Sequence, residues 1–160
     1  LSAIVQVNLI SAQIESMRLK MDELASTLPE YEVVMNMFGV GHTFGSQLMA
    51  EIGDISRFNH RSALTAFAGV DPGVNQSGKM KIDSNRASKR GAPRLRKTLF
   101  QIMQTLMQNA PADNRVYLFM MKKKAEGKPY HVYMTAGANK FLRIYYGTVK
   151  AHLASQSQTE

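Results

Sequence analysis

The chain has 160 residues, of which 44% are hydrophobic, so it is long and apolar enough to fold as a domain with its own core. It has no cysteine, which excludes disulfides and thiolate metal sites, and no apolar run of about 18 residues, which excludes a membrane-spanning helix. Lysines and arginines exceed acids by +8, which indicates a polyanionic partner. We expect a cytoplasmic protein without a signal peptide, and we interpret the start at Leu1, inside an amphipathic pattern, as that of a fragment of a longer protein.

The first predicted element is a long helix that ends at Pro29, because proline cannot continue a helix. Its apolar residues alternate at spacings of three and four, which is typical of a coiled-coil seam. They are Val7, Ile10, Ile14, Met17, Met21, Leu24 and Leu28. Such a seam needs a partner helix, from an upstream segment or from a second copy, so we expect a homo-oligomer. The alternative is one long helix that packs on its own domain.

A helix-hairpin-helix pattern follows. A short helix over residues 30–37 and a second over residues 44–51 flank a turn with two glycines, Gly39 and Gly41. The first amides of the second helix, near Thr43, would then face outward and bind a phosphate without reading sequence. The alternative is a plain turn between two helices.

A short helix is predicted over residues 62–68, ended by Gly69. Residues 73–92 have no helical period, so we expect a long loop with a short β-hairpin across residues 79–86. Because residues 73–87 offer few apolar side chains for burial, we expect them to be poorly ordered until they bind a polyanion.

Residues 77–97 carry eight lysines and arginines against one acid, a balance of +7, and we interpret them as the one source of the positive field. The nucleic-acid ligands that we predict there are Gly78, Lys79, Lys81, Arg86, Lys89, Arg90, Arg94, Arg96 and Lys97. Ser77 begins this segment between Gln76 and Gly78 and is the candidate nucleophile. The alternatives are a solvated basic loop and a serine that only bonds its own turn.

The rest of the chain is predicted to be helical, so the fold class is all-α. Pro93 begins a helix with an apolar stripe at Leu95, Leu99, Ile102, Met103 and Leu106. Asp113 is predicted to cap a helix that reaches Glu126, and a last helix runs over residues 130–153. We divide the chain into a coiled-coil or linker helix (1–29), a compact helical domain (30–153) and a flexible tail (154–160).

Six sequence blocks, in this order and spacing, resemble a known family. They are Gly39-Val-Gly41, Glu51-Ile-Gly-Asp-Ile-Ser-Arg-Phe58, Leu64-Thr-Ala-Phe-Ala-Gly-Val-Asp-Pro72, Gln76-Ser-Gly-Lys79, Ser88-Lys-Arg-Gly-Ala-Pro-Arg-Leu-Arg96 and Gly127-Lys-Pro129. The resemblance is to the carboxyl-terminal domain of the DEDD insertion-sequence transposases, which include the Piv-type DNA invertases, and it covers about residues 36–148. The preceding heptad segment is similar to the coiled coil that joins this domain to the rest of those proteins.

The resemblance implies a DNA transposase or site-specific recombinase in which Ser77 forms a phosphoserine link to DNA. It implies further a separate RuvC-like domain, absent from this chain, whose four acids hold divalent metal such as magnesium; we expect no metal site or cofactor in the chain itself. In such an enzyme the metal would polarise the scissile phosphate, and the cations of residues 79–96 would clamp the strand. It also implies a bacterial or archaeal, nucleoid-associated protein, and a structured guide RNA as a possible partner.

Two other functions stay open at this point. A non-catalytic helix-hairpin-helix module would bind DNA through phosphate contacts alone and would not need Ser77. A coiled-coil assembly module is the third alternative, but the charge does not lie on the heptad segment.

Overall fold

In a computed structural model, the structure describes residues 2–72, 76, 77, 80, 81, 87 and 89–158, with the backbone alone at 76, 77, 80 and 81. The fold is all-α apart from one hairpin of two-residue strands, which confirms the predicted class. The elements are α1 (Ala3–Ala25), α2 (Tyr31–Met35), α3 (Gly41–Ile52), a 3-10 turn (Ile55–Arg57), α4 (Arg61–Ala68), β1 (Gln76–Ser77), β2 (Met80–Lys81), α5 (Pro93–Asn109), α6 (Arg115–Ala125) and α7 (Tyr130–Gln156).

The core is built around α5 and α7. The predicted α5 stripe is confirmed, because its five apolar residues are at most 1% exposed. On α7, Met134, Ala138 and Leu142 are fully buried at helical spacing. Gly137 lets α6 pack closely on α7, since a Cβ there would lie 2.5 Å from the Met120 sulfur. This core fixes α3, α4 and α6 around two long helices.

Helix α1 is different, because it leaves the body of the domain. Ala25, at its end, is its buried residue. The seven predicted seam residues are 38% to 70% exposed, which favours a partner helix over packing on the chain's own domain. At the end of the seam, Met21, Leu24 and Leu28 line a groove together with Met49 of α3. At about 1.5 Å per residue, α1 is about 34 Å long.

Several predicted boundaries differ from the structure. The cap of α6 is Asn114 and not Asp113, because the Asn114 side chain accepts the N–H groups of Val116 and Tyr117 at 3.0 Å each. The hairpin pairs Gln76 with Lys81, earlier than the predicted 79–86. Helix α7 continues three residues past the predicted end, since Ser155 and Ser157 donate to carbonyls one turn back.

No helix in the described part of the chain is both long and apolar enough to cross a membrane.

Candidate nucleic-acid interface

The basic segment is anchored to the carboxyl end of α4. The carbonyls of residues 67–69 find no partner within the helix, as is usual at a helix end. Donors from the basic segment satisfy all three: Ala92 N bonds Phe67 O at 2.7 Å, Arg96 Nη1 bonds Ala68 O at 3.2 Å, and Lys89 N bonds Gly69 O at 3.3 Å. The segment is therefore held at a defined place before α5 begins. We call residues 67–69 and 89–97 the root.

Two glycines make the root possible. Gly69 has a φ of +67° and ends α4 in the left-handed conformation. Gly91 lies so close to α4 that a Cβ would overlap the Phe67 carbonyl and lie 2.5 Å from the Gly69 nitrogen. Lys89 also has a positive φ, +54°, which costs a non-glycine residue roughly 1–2 kcal/mol. Such local strain is typical of functional segments.

The pairing above the root defines a two-legged arm. Lys89 N bonds Gly69 O, and Pro72 with Ala87, Gln76 with Lys81 and Ser77 with Met80 form antiparallel pairs. The paired positions converge along the chain from the root to Ser77 and Met80. Ser77 is thus the last residue of β1. We call residues 70–88 the arm.

Only part of the predicted ligand set can be located. Gly78, Lys79 and Arg86 lie outside the described residues, and Lys81 is located by its backbone in β2. The prediction that residues 73–87 are poorly ordered also concerns residues outside the described ones, apart from positions 76, 77, 80, 81 and 87. At the root, Lys89, Arg90, Arg94 and Lys97 are exposed. Arg96 is half-buried and bonds Ala68, so it positions the root.

The exposed cations of the root lie where they destabilise their own helix. Arg94 and Lys97 occupy the first turns of α5, and no acid accompanies them in the first turn. A helix amino terminus carries a partial positive charge, so cations there are unfavourable. The three ion pairs between described residues all lie elsewhere in the molecule. An anion such as a phosphate would relieve this repulsion and bond the free amides of α5.

The helix-hairpin-helix geometry is consistent with the sequence pattern. Gly39 and Gly41 have φ values of +85° and +49° between α2 and α3. The hairpin is tightly closed, because a Cβ at Gly45 would overlap the side chain of Met35. The amino end of α3 has no side-chain cap, and Thr43 is exposed there. Phosphate binding at this end remains a prediction.

Sequence reasoning missed a polar cluster that joins α1 to the hairpin. The Asp22 carboxylate accepts hydrogen bonds from Ser46 Oγ at 2.8 Å, Tyr31 OH at 3.0 Å and His42 Nδ1 at 3.2 Å. These hydrogen bonds lower the pKa of the Asp22 carboxyl, and the bond from Ser46 has the largest effect. Burial raises the pKa of the Tyr31 hydroxyl. The partners are up to 24 positions apart, so no linear pattern indicated the cluster. It sets the direction in which α1 leaves the domain.

The described residues do not fit a metal centre. Among them, no three His, Asp or Glu side chains come together in a way that could hold an ion. The acids of Asp22, Asp54 and Glu126 are instead engaged with hydroxyl, amide or ammonium donors. The described residues therefore do not supply a ligand set for a catalytic metal.

The positive charge has two sources, so the prediction of one source is wrong. Residues 115–150 carry eight lysines and arginines against the single acid Glu126, which is again +7. The remaining residues carry four cations and ten acids, a net charge of −6. This negative charge offsets most of the second segment's +7, so the total of +8 does not reveal that segment. Segment-by-segment counting would have found it.

Comparison with known proteins gives one family. The sequence model described as "Transposase IS116/IS110/IS902 family" matches residues 31–118, more than half of the chain. The match runs from α2 into α6 and includes the hairpin, the root and the arm. None of the curated proteins matches the chain.

Proposed function

Because this chain belongs to the transposase IS116/IS110/IS902 family, we propose that it is the domain that supplies DNA binding and the nucleophilic serine of a transposase. Ser77 attacks a phosphorus atom of the DNA strand. A bond forms between the serine Oγ and phosphorus, and the bond from phosphorus to the leaving sugar oxygen breaks. The phosphoserine link conserves the energy of the broken bond, so the strand can be rejoined to a new end.

The register of the arm is the observation that carries this proposal. Ser77 pairs with Met80 at the end of β1, at the far end of the paired segment that begins at the α4–α5 root. A nucleophile must reach the phosphorus of a strand that lies on the protein surface. A serine on a paired segment that is anchored to α4 is suited to that task, whereas a serine that only stabilises its own turn does not need a built root.

The cations around the root support the proposal electrostatically. Lys89, Arg90, Arg94 and Lys97 are exposed, and the amino end of α5 adds its own positive potential. Together they attract the phosphates of the DNA on which Ser77 acts and hold it on this face of the domain. The uncapped start of α3, with Gly39, Gly41 and Thr43, supplies a further phosphate contact.

A serine hydroxyl needs activation, and two of the described histidines already have other partners. His42 is bonded to Asp22, and His60 caps α4 through the Ala63 amide. We therefore infer that the proton acceptor and the metal ligands belong to a RuvC-like domain outside this chain. The isolated chain is expected to bind DNA without cutting it. We expect the complete protein to act in the cytoplasm of a bacterium or archaeon, at the nucleoid.

The test uses the full-length transposase that carries this chain, with magnesium and DNA that contains its element ends. Ser77→Ala should abolish strand joining and the covalent protein–DNA adduct while the affinity for DNA is kept. Ser84→Ala is the matched control, because it removes a hydroxyl from the same basic segment, and it should recombine normally. Recombination by Ser77→Ala at the wild-type rate would instead favour the non-catalytic helix-hairpin-helix module.

The exposed seam of α1 supports a second proposal, that copies of this chain assemble through it. Burial of an aliphatic side chain contributes roughly 1.5–3 kcal/mol, and seven such residues are open to water in a single chain. Ile14→Lys with Met21→Lys should turn a sedimenting oligomer into a monomer. Ala12→Lys with Leu19→Lys adds the same charge on the opposite face of α1 and should leave the assembly intact. A monomeric wild-type chain at high concentration would contradict the proposal.

A guide RNA remains a prediction of the family resemblance alone. Electrophoretic mobility shifts of the full-length protein with the RNA transcribed from its own element would test it. Tight binding that survives an excess of unrelated RNA is the expected result.

A further inference from the structure

The second basic segment holds its charge at a rigid corner between α6 and α7. Helix α6 ends in a Schellman arrangement, in which Gly127 N bonds Lys124 O at 3.0 Å and Lys128 N bonds Lys123 O at 3.2 Å. Gly127 has the required left-handed φ of +76°. Pro129 follows Lys128 and is the cap residue immediately before α7. The chain therefore turns through the corner in a fixed conformation, with residues 124–132 all exposed.

Helix stability explains only part of the charge at this corner. Cations suit the carboxyl end of α6, where the dipole is negative. Lys123 is also paired with Glu126 at 2.7 Å and lies 5.9 Å from the Phe119 ring centre. Lys122, Lys124 and Lys128 remain exposed, and Glu126 is the one acid between residues 115 and 150. Four lysines thus surround a single carboxylate, and three of them are open to a further anion.

Aromatic rings accompany these cations. Tyr130 is 44% exposed and directly follows the corner. The centre of its ring lies 5.3 Å from that of His131 and 5.4 Å from that of Tyr133, and both of these rings are nearly perpendicular to it. Its orientation is therefore defined by its neighbours. Val132 beside it is 49% exposed. An exposed aromatic ring can stack on an unpaired base, whose face a double helix keeps covered.

From this combination we propose that the corner of Lys122, Lys124, Lys128, Tyr130 and His131 binds a single nucleic-acid strand. Lys124 and Lys128 contact phosphates of the strand, and the Tyr130 ring stacks on a base. Lys122, on another side of α6, adds long-range attraction. The site does not involve Ser77 and does not depend on the chemistry proposed for it. It gives the domain a place for an unpaired strand while the root and arm hold duplex DNA.

The test measures fluorescence anisotropy of the 160-residue chain with three labelled probes: oligo(dT), oligo(U) and a random duplex of equal length. Tyr130→Ala should weaken single-strand binding about 5- to 100-fold, the range that loss of one base stack gives. Tyr130→Phe keeps the ring and should restore wild-type affinity. Duplex binding should change less than twofold in both variants. Because Tyr130 is exposed, neither variant should lose helicity by circular dichroism.

A second readout locates the contact. Ultraviolet cross-linking to bromouracil-substituted oligo(dT), followed by trypsin, should modify the peptide of residues 125–140, which holds Tyr130 and His131. The proposal is overturned if Tyr130→Ala binds oligo(dT) and oligo(U) as tightly as wild type. It is equally overturned if the variant weakens duplex and single strands alike, or if cross-links fall only within residues 77–97.

Discussion

Residues 77–97 and residues 115–150 each carry eight cations and one acid, yet they hold this charge in opposite ways. In the first segment the cations lie in an antiparallel arm and at the amino end of α5, where the helix dipole opposes them. In the second, Lys122, Lys123 and Lys124 lie in the last turn of α6, where the dipole favours them. The first arrangement costs stability until an anion binds, and the second does not.

The difference shows that net charge identifies a polyanion partner but not its form. What lies between the charges decides that. The arm carries a serine, Ser77, at the end of β1, and we propose that it reacts at a phosphorus atom. The corner between α6 and α7 brings an exposed ring, Tyr130, which suits an unpaired base. Substitutions in each segment can test whether the two differ in this way.

The largest expected effect comes from a side chain placed at Gly91, where the root lies against the end of α4. Gly91→Ala places a methyl group on the Phe67 carbonyl, a backbone atom that cannot move away. We expect a loss of about 3 kcal/mol or more in the free energy of unfolding by urea. Duplex binding should weaken while single-strand binding at the corner is kept.

Gly147→Ala is the matched control for that change. Gly147 lies within α7, and nothing comes within 4 Å of a Cβ there. Alanine should therefore raise stability, by about 0.5–1 kcal/mol. Equal destabilisation by both variants would contradict the role of the root.

The second prediction separates the two segments by salt. Changing Lys89, Arg90, Arg94 and Lys97 to Gln removes four phosphate contacts at the root. The slope of log K against log salt for duplex DNA should fall by about 3.6, at about 0.9 per contact. Changing Lys122, Lys124 and Lys128 to Gln should leave that slope unchanged. The comparison fails if both sets flatten the slope in proportion to the charge removed.

Two arginines of α5 give a third, smaller test. Arg96→Met removes the charged donor from Ala68 O and should cost about 1.5–3 kcal/mol in thermal unfolding. Arg94→Met, two positions earlier and exposed, should stay within about 0.5 kcal/mol of wild type. In duplex binding we expect Arg94→Met to lose a phosphate contact. If Arg96→Met leaves stability unchanged, its bond to α4 does not hold the root.

The smallest effect concerns the cluster on Asp22, which lies outside both basic segments. Its carboxyl pKa is lowered below the ordinary 3.8, so the stabilisation is present above that pH and is lost as the pH falls through the folded-state value. At pH 7, Asp22→Asn should cost about 1 kcal/mol, and the difference from wild type should shrink below pH 4.

Glu23→Gln removes the neighbouring exposed carboxyl and serves as the control for Asp22→Asn. Neither variant should alter binding of duplex or single strands. A difference between wild type and Asp22→Asn that stays constant from pH 7 to pH 3 would show that the charge of Asp22 is unimportant.

Sequence reasoning succeeded where one local period determines the answer. The α5 stripe from Leu95 to Leu106 repeats with the turn of a helix, so its buried face follows directly. It failed at element boundaries: the cap lies at Asn114, one residue after the predicted Asp113, and the Gln76–Lys81 hairpin is centred about four residues before the predicted one. The root could not be predicted either, because it depends on carbonyls at the end of α4 that lie 20 or more residues from their donors.

The central claim is that Ser77 becomes linked to DNA, and mass spectrometry of the linked residue tests it most directly. The full-length transposase would be reacted with element DNA and magnesium, denatured, and digested with nuclease and trypsin. The account predicts a nucleotide remnant on the peptide of residues 62–79, with fragment ions that assign it to Ser77. A remnant on another residue, or DNA cleavage without any modified peptide, would contradict the account.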